Sequence, residues 1–401
     1  MGTGIDVTRN ARIEEAEHKR WILDEIEKIC GLKLDQPWLL GKGNHRSIAQ
    51  FMRALKRSLL VRRSALFFSK NARDWAKVAE VIQQRIEYGE ENNRIYDKKH
   101  RIPSSTFWPN HQINPTEKLA NLRPYARKFS FISKKTKIAT AGSCFAIEIA
   151  KHLQTRNFHY LVMEHWGMPG QLSHSSARWG IIFNTPSFRQ LVQKSFGEIH
   201  LPRIYWTQNV EGKNRIYDPF REDIIYDSVE DYEADQERHL ANCRRVFQEC
   251  ELFIFTLGMN EVWQLAGSKS VFSRSPWQTA GELIERRFLT VDENVQELRH
   301  AVEIVRKHNP NCRFIFSVSP VPLHATFDAN RHVVEANTLS KAILRVAAEQ
   351  VCDPDDGIYY FPSYEYVMAC AESPWEPDER HVNAKTVASI MDMFEEMFVK
   401  I

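Results

Sequence analysis

The sequence lacks the patterns that mark several common classes of protein. No apolar run approaches the length of a membrane span, and the N-terminus lacks the apolar segment of a secretory signal. The seven cysteines are odd in number and show no CxxC spacing, which fits neither a disulfide framework nor a zinc site. We therefore expect a soluble, cytoplasmic protein in a reducing compartment, with no transmembrane segment.

Short motifs for cofactors and metals are also missing. The histidines show no HExxH spacing, and neither GxxxxGK[ST] nor GxGxxG occurs, which argues against a metal centre and against the usual nucleotide-phosphate loops. The formal net charge of +3 is small for 401 residues and gives no indication of nucleic-acid binding. We expect no cofactor, no metal ion and no nucleic-acid partner.

The chain is long for one domain, and its 43% hydrophobic content is enough to build a sizeable core. Apolar residues at helical spacing predict three helices, over 11–30, 46–69 and 71–88. The predicted organisation is a helical region (1–100), a proline-containing linker (101–136) and an α/β domain (137–401).

The predicted helix 46–69 carries a basic face that includes Arg53, Lys56 and Arg57. Such a face can bind an anionic partner at the periphery of the protein, for example an acidic membrane surface. A basic helix face is more often simply solvated. Both interpretations of this helix stay open.

From residue 137 onward, predicted strands alternate with predicted helices. The strands are predicted over 137–141, 158–163, 251–257, 313–319 and 357–361. The helices are predicted over 145–156, 186–196, 229–249, 290–308, 333–350 and 384–400. Two strands, 252–257 and 314–318, are apolar without alternation, which predicts a parallel sheet covered by helices on both faces. A β-hairpin is predicted over 204–217.

Candidate chemistry begins at the turn Gly142-Ser143-Cys144, between the first strand and the helix that follows. Free backbone N–H groups and the helix dipole favour negative charge there, so we expect the Cys144 thiol to be shifted toward the thiolate. The alternative is that Cys144 is a small buried apolar residue, as most cytosolic cysteines are.

Other strand ends offer groups that suit acyl transfer, because ligands of open α/β sheets bind beyond the carboxyl ends of the strands. Asp378 stands three residues before His381 and can hold one imidazole nitrogen, leaving the other as a general base. Asn260 is a suitable oxyanion donor. His324 can contact a substrate, but the turn at Pro320–Pro322 explains its exposure equally well. Together with a nucleophile, these groups form an arrangement for acyl transfer.

The residues 142–146, Gly-Ser-Cys-Phe-Ala, match the signature of the GSCFA-domain family, which is related to the SGNH (GDSL-like) hydrolases. Further blocks resemble that family in the same order, at 179–186, 256–261, 317–320, 340–341, 361–365 and 378–381. The resemblance covers about 115–400 and does not extend to the first hundred residues.

The resemblance implies a three-layer α/β/α fold with a mainly parallel sheet. It implies the following site: Cys144 as nucleophile, with Ser143 as the alternative, Asp378 as orienting carboxylate, His381 as base, and the Gly180 N–H and Asn260 side chain as oxyanion donors. Gly258 and Glu261 belong to the block that carries Asn260, and Glu261 stands where the wider superfamily has aspartate.

The function that the resemblance implies is an acyl esterase or acyltransferase with a covalent acyl-enzyme. Its substrate is then an acylated carbohydrate or a similar polar small-molecule or glycan ester. The alternative is an inactive SGNH-like binding or scaffold protein, whose basic N-terminal helices recruit an anionic partner.

Overall fold

The computed structural model describes residues 108–109, 118–210, 212–221, 223–273, 275 and 283–400. The three predicted N-terminal helices, including the basic helix 46–69, lie outside the described residues. The later part of the predicted linker is described. Its residues Phe129 and Ile132 donate backbone hydrogen bonds to the C-terminal end of the chain, at Met397 and Phe398.

Strands and helices alternate along the α/β domain. In chain order they are β1 (Ile138–Gly142), α1 (Cys144–Thr155), α2 (Thr185–Ser195), β2 (Trp206–Val210), β3 (Lys213–Tyr217), β4 (Ile225–Tyr226), α3 (Val229–Glu249), β5 (Leu252–Leu257), β6 (Glu261–Leu265), β7 (Ile284–Phe288), α4 (Val291–His308), β8 (Arg313–Val318), α5 (Val333–Val351), β9 (Ile358–Tyr360) and α6 (Ala384–Phe398). A short helical segment, Ser363–Glu365 and Tyr366–Cys370, follows β9. None of the helices among the described residues is long and apolar enough to cross a membrane.

The central sheet has four strands in the order β1-β5-β8-β9, and every pair in it is parallel. Alternate residues of the strands enter two different cores. Phe253 and Phe255 of β5 pack with α2, α3, α4 and α5, whereas Leu252 and Ile254 pack with α1 and α6. The predicted three-layer α/β/α fold is therefore confirmed, because apolar residues on both faces of a sheet require a helix layer on each side.

One predicted strand is wrong. The segment 158–163 makes only an isolated bridge, between Tyr160 and Ile138 of β1. Phe158, Tyr160 and Leu161 are buried all the same. An apolar connection that packs over a sheet edge has the composition of a strand, although its backbone pairs with the sheet at a single residue.

Two smaller sheets lie outside the central one. The predicted hairpin is confirmed as β2 and β3, to which β4 adds a third antiparallel strand. A second hairpin, β6 and β7, follows β5 directly and was not predicted from the sequence. A capping box begins α4, with Thr290 and Glu293 each bonded to the other's backbone.

Candidate active site

The turn between β1 and α1 carries two adjacent side chains, Ser143 and Cys144, which have different surroundings. Ser143 is the N-cap of α1, and its hydroxyl accepts a hydrogen bond from the Phe145 N–H at 3.3 Å. The same hydroxyl bonds to Thr256 Oγ1 at 2.9 Å, and the Ser143 N–H donates to that atom at 2.9 Å. Ser143 is only 2% exposed. Its hydroxyl therefore joins β1 to β5 and caps the helix.

Cys144 is half-buried, and its side chain lines a cavity of about 540 Å³, here called the Cys144 cavity. Its walls come from the residues that follow β1, β5 and β8, as predicted for a ligand site at the carboxyl ends of parallel strands. They are Ser143, Cys144, Phe183, Gly258, Met259, Trp263, Ser275, Arg286, Ser319, Val321, Pro322, Leu323, His324, Ala325, Thr326, Phe327 and Arg380. The alternative interpretation, that Cys144 is a small buried apolar residue, does not fit a half-buried residue that lines a cavity.

The expected shift of Cys144 toward the thiolate is wrong. Burial raises the pKa of the thiol, and this effect outweighs the lowering by the charges of Arg380 and Lys341 and by backbone N–H groups at the start of α1. The backbone N–H groups at the helix N-terminus do lower the pKa of Cys144, but the loss of solvation on burial raises it by more. The resting cysteine is therefore mainly a thiol at neutral pH.

Asp378 and His381 form the predicted pair. The His381 Nδ1 and an Asp378 carboxylate oxygen are 2.5 Å apart, and the His381 backbone N–H donates to the other oxygen at 2.9 Å. The side-chain hydrogen bond from His381, helped by the backbone N–H groups of His381 and Arg380, lowers the pKa of Asp378 to about 2. An ionised Asp378 holds the proton on Nδ1 and leaves Nε2 as the free nitrogen.

The structure does not join this pair to the thiol. His381 is 47% exposed at its side chain and does not line the Cys144 cavity. Among the described residues, the neighbour that reaches the cavity from this loop is Arg380, which donates to the Pro322 carbonyl at 3.3 Å. The triad of Cys144, His381 and Asp378 stays a prediction.

The structure places the expected oxyanion donors, Asn260 and Gly180, outside the lining of the Cys144 cavity. Asn260 is buried, and its side-chain amide donates to the Leu289 carbonyl at 3.1 Å, while its backbone N–H donates to Ser340 Oγ at 3.0 Å. Gly180 is buried with a φ of 75°. Neither Asn260 nor Gly180 lines the Cys144 cavity. Their role as oxyanion donors stays a prediction.

Gly258 and Glu261 support the cavity in different ways. Gly258 lines it, and its carbonyl accepts a hydrogen bond from Lys341 Nζ at 2.7 Å. Glu261 is buried and accepts hydrogen bonds from the Thr326 hydroxyl at 2.7 Å and from the Phe327 N–H at 3.2 Å. Glu261 thus anchors the loop after β8, which forms one wall of the cavity.

Three residues with a part in this site were not assigned one from the sequence. Lys341 and Arg380 act electrostatically on Cys144. Ser319 lines the cavity, and its buried hydroxyl has no hydrogen-bond partner among the residues that the structure describes. The sequence does carry a signal for Lys341, because this charged residue lies among the mainly apolar buried residues of the helix, which include Ala336, Ser340 and Leu344. His324 lines the cavity, and its contact with a substrate stays a prediction.

A second histidine has a thiol and a carboxylate beside it, but in the core. The His239 Nδ1 is 2.6 Å from Glu164 Oε2, and its Nε2 is 3.2 Å from the Cys243 Sγ. His239 is 1% exposed and Cys243 is fully buried. Burial lowers the pKa of His239 to about 3 and raises the pKa of Cys243 to about 12. A nucleophile there has no access to substrate, so this cluster is structural.

The buried His239 makes the fold sensitive to acid. Below pH 6.5 the unfolded chain protonates this histidine, whereas the folded protein leaves it neutral until the pH approaches 3. We expect the free energy of unfolding to fall by about 2 kcal/mol between pH 6.5 and pH 5, measured by urea denaturation. The variant His239→Gln should lose this dependence, and His159→Gln, at an exposed position, should keep it. Equal pH dependence in the three proteins contradicts the prediction.

Comparison with known proteins identifies one family. The family model of the GSCFA family matches residues 137–394. Comparison with curated protein sequences gives no match. Among solved structures, the chain is similar to a carbohydrate esterase family 3 protein from Talaromyces cellulolyticus, at 9% identity and a TM-score of 0.31, over 65% of this chain and 94% of that chain.

Proposed function

Since this chain belongs to the GSCFA family, we propose that it is an acyl esterase or acyltransferase that forms a covalent acyl-enzyme on Cys144. The observation that carries the proposal is the placement of two adjacent side chains. The Cys144 thiol opens into a cavity at the carboxyl ends of three parallel strands, while the Ser143 hydroxyl is bonded to Thr256. Both residues line the cavity, but the Ser143 hydroxyl is already bonded to Thr256 and to the Phe145 N–H, which favours sulfur over oxygen as the nucleophile.

The chemistry proceeds in two halves. In the first, the thiol loses its proton to a base, sulfur bonds to the ester carbonyl carbon, and the C–O bond breaks as the alcohol leaves with a proton. In the second, a water or an acceptor alcohol attacks the thioester, its proton passes to a base, and the C–S bond breaks to regenerate the thiol. Water gives hydrolysis, and an alcohol gives acyl transfer.

The Asp378–His381 pair is the proposed base of this site. Ionised Asp378 orients the ring, which leaves Nε2 to accept a proton from the attacking water or alcohol. The pair is exposed, where such an acceptor arrives, and the adjacent Arg380 already lines the cavity. Contacts of catalytic bases often shorten only when substrate binds.

Asn260 and Gly180 are the proposed donors to the oxyanion that forms during each attack. The Asn260 amide has two N–H groups, of which Leu289 takes one. Among the described residues, Ser319 adds a further hydroxyl that has no partner and faces the cavity. A developing oxyanion gains most from such donors when they are already in place before the reaction.

The walls of the cavity suit an ester with an apolar acyl part and a polar alcohol part. Phe183, Met259 and Trp263 line it as apolar surface, whereas Arg286 and Arg380 line it as cations. Guanidinium groups bind hydroxyls and anionic groups of a polar substrate. We propose an acylated carbohydrate or a similar polar ester as the substrate class.

The proposal is tested with a panel of activated acyl esters of increasing chain length, followed by intact mass spectrometry of the full chain. We expect turnover, and an added acyl mass that maps to the peptide containing Cys144. Offering water alone or water with a sugar acceptor separates hydrolysis from transfer. A folded protein that shows neither turnover nor an adduct across the panel contradicts the enzyme and favours the binding-protein alternative.

Removing His381 should separate the two halves of the reaction. We expect His381→Ala to lower turnover by about 10²–10⁴-fold, because deacylation loses its general base, and the acyl adduct to persist on Cys144. Asp378→Asn should give a smaller loss of the same kind. The measurement is turnover combined with intact mass over time.

The matched control for this loop is Glu379→Gln, which changes an exposed charge between the two residues without touching either hydrogen bond. It should keep wild-type turnover. Wild-type turnover in His381→Ala removes this histidine from the mechanism.

A further inference from the structure

The Cys144 cavity carries two guanidinium groups in its wall. Arg286 lies on β7 and Arg380 lies in the loop before α6, so two separate segments of the chain deliver them to one place. Among the described residues, no carboxylate lines the cavity. Guanidinium groups pair with carboxylate and phosphate oxygens, often through two parallel hydrogen bonds. The wall therefore offers a site for an anionic group of a ligand.

Two acidic residues near the cavity have other partners. Glu261 accepts hydrogen bonds from Thr326 and Phe327, which belong to the wall, and does not itself line the cavity. Asp378 is bonded to His381 through both of its oxygens and does not line the cavity either. Neither carboxylate therefore occupies the space that a ligand would fill beside the arginines.

Arg286 lies beside an aromatic ring. It stands directly opposite Trp263 in the hairpin of β6 and β7, and both residues line the cavity. Directly paired residues of antiparallel strands lie on the same face of the hairpin. The hairpin thus presents an indole ring and a guanidinium together, which suits a ligand with an apolar face and a negative charge next to it.

Arg380 brings its charge close to the reacting sulfur. Its Nε donates to the Pro322 carbonyl at 3.3 Å, which uses one of the five N–H donors of a guanidinium. Its charge lowers the pKa of Cys144, although burial raises that pKa by more. Ser319 adds an uncharged donor to the same cavity, with a buried hydroxyl that has no partner among the described residues.

We propose that the alcohol part of the substrate carries an anionic group, a carboxylate or a phosphate, and that Arg286 and Arg380 bind it. The two arginines determine the specificity of the cavity for charge, and a neutral ester of the same shape is the poorer substrate. The inference rests on the proposed function, because it names the substrate class of the same cavity. It adds the sign of a charge that an acylated carbohydrate or a similar polar ester leaves open.

The first test measures charge selectivity at Cys144 without any ester. Iodoacetate and iodoacetamide alkylate a thiol through the same carbon–iodine group, but only iodoacetate is an anion. The ratio of their rates at Cys144, followed in the full chain by peptide mass spectrometry, does not depend on the thiolate fraction, because both reagents attack the same thiolate. We expect this ratio to exceed that of the neutral thiol 2-mercaptoethanol by about tenfold at low salt, and to approach it at high salt.

Substitution of either arginine should lower this ratio. We expect a fall of about threefold or more in Arg286→Gln and in Arg380→Gln, where glutamine can still donate to the Pro322 carbonyl. Arg380→Lys keeps the cation and should keep most of the ratio. The matched control is Arg287→Gln, because Arg287 follows on the same strand but binds Glu293 and does not line the cavity. Each variant is checked for folding by circular dichroism and thermal melting.

Ligand protection and a pair of esters test the substrate class. Alkylation of Cys144 by iodoacetamide is measured with glucose, glucuronate or glucose 6-phosphate present. Glucuronate or glucose 6-phosphate should protect Cys144 at a concentration about tenfold lower than glucose does, and the more effective of the two identifies the anionic group. Among esters, 4-nitrophenyl acetate with a carboxylate on its ring should have a higher kcat/KM than 4-nitrophenyl acetate itself.

Several outcomes overturn the inference. One is a wild-type ratio equal to that of 2-mercaptoethanol, and another is equal protection by the neutral and the anionic sugars. An equal fall in Arg286→Gln and Arg287→Gln shows a general surface field, and an equal fall in Arg380→Lys and Arg380→Gln shows that Arg380 only shapes its loop. If neither glutamine variant folds, salt decides, since a wild-type ratio that high salt does not lower contradicts the site.

Failure of this inference is distinguishable from failure of the proposed function. Charge selectivity at Cys144 with no turnover of any ester leaves the anion site standing and contradicts the proposed function. Turnover without preference for the anionic ester supports the proposed function and overturns the inference.

Discussion

Replacing Cys144 with alanine is expected to abolish both the acyl adduct and the turnover of activated esters, with a loss of about 10³-fold or more. The reason is that the Ser143 hydroxyl, although its residue also lines the cavity, is engaged with Thr256 and with the Phe145 N–H, which favours the thiol as the proposed nucleophile. The measurement is steady-state turnover together with intact mass after incubation with the ester. Folding should be preserved, because the smaller side chain leaves the cap at Ser143 untouched.

The matched variant is Ser143→Ala. It should keep the adduct on Cys144, although it lowers the free energy of unfolding by about 1–2 kcal/mol through loss of the helix cap and of the bond to Thr256. An adduct that persists in Cys144→Ala and disappears in Ser143→Ala would reverse the assignment and make oxygen the nucleophile.

Replacing Gly142 with alanine is expected to destabilise the domain by about 3 kcal/mol or more. Gly142 has a φ of 136°, and a Cβ there would lie 2.4 Å from Thr256 Oγ1 and 2.6 Å from the backbone nitrogen and oxygen of Thr256. The clash is with backbone of the neighbouring strand, which cannot move aside without breaking the pairing of β1 with β5. Urea denaturation measures the loss.

Gly197 provides the control for this substitution. It has a φ of 75°, but a Cβ there meets no atom of the described residues within 4 Å. Gly197→Ala should therefore cost only the left-handed backbone penalty, about 1–2 kcal/mol. If Gly142→Ala costs no more than Gly197→Ala, the close approach of β1 and β5 is not what requires glycine at this turn.

Gly142→Ala and Cys144→Ala change the two ends of the same turn, Gly142-Ser143-Cys144. Gly142 lets β1 approach β5 closely enough for the Ser143 hydroxyl to reach Thr256. That contact engages the Ser143 hydroxyl, and Ser143 and Cys144, the first residue of the new helix, both line the cavity. A distorted turn at Gly142 should therefore also slow the alkylation of Cys144.

Much of the fold could be predicted from the sequence because its signals are local. The apolar runs of β5 and β8 indicate strands buried on both faces, and the spacing of Thr290 and Glu293 indicates a helix start. The hydrogen bond between Asp378 and His381 joins residues three apart, so the chain brings them together with little help from the fold. The wrong strand at 158–163 has the same cause, since apolar composition reports burial and does not report hydrogen-bond partners.

The order of the central strands and the second hairpin could not be predicted in this way, because they depend on contacts between distant parts of the chain. The pairing of β1 with β5 joins segments more than a hundred residues apart, and no local pattern specifies it. The position of Lys341 beside Gly258 and the entry of Arg380 into the cavity are of the same kind. Each depends on the way three separate segments pack against one another.

By itself, the sequence determined that the α/β domain has a parallel sheet between helix layers, with a thiol at the end of its first strand. Tertiary structure alone decided that the Ser143 hydroxyl bonds to Thr256 of a distant strand, and which charges lie near the Cys144 thiol. The physical reason lies in distance and solvation. Apolar periodicity and capping act over a few residues, whereas the protonation of Cys144 depends on burial and on Lys341 and Arg380, which other parts of the chain deliver.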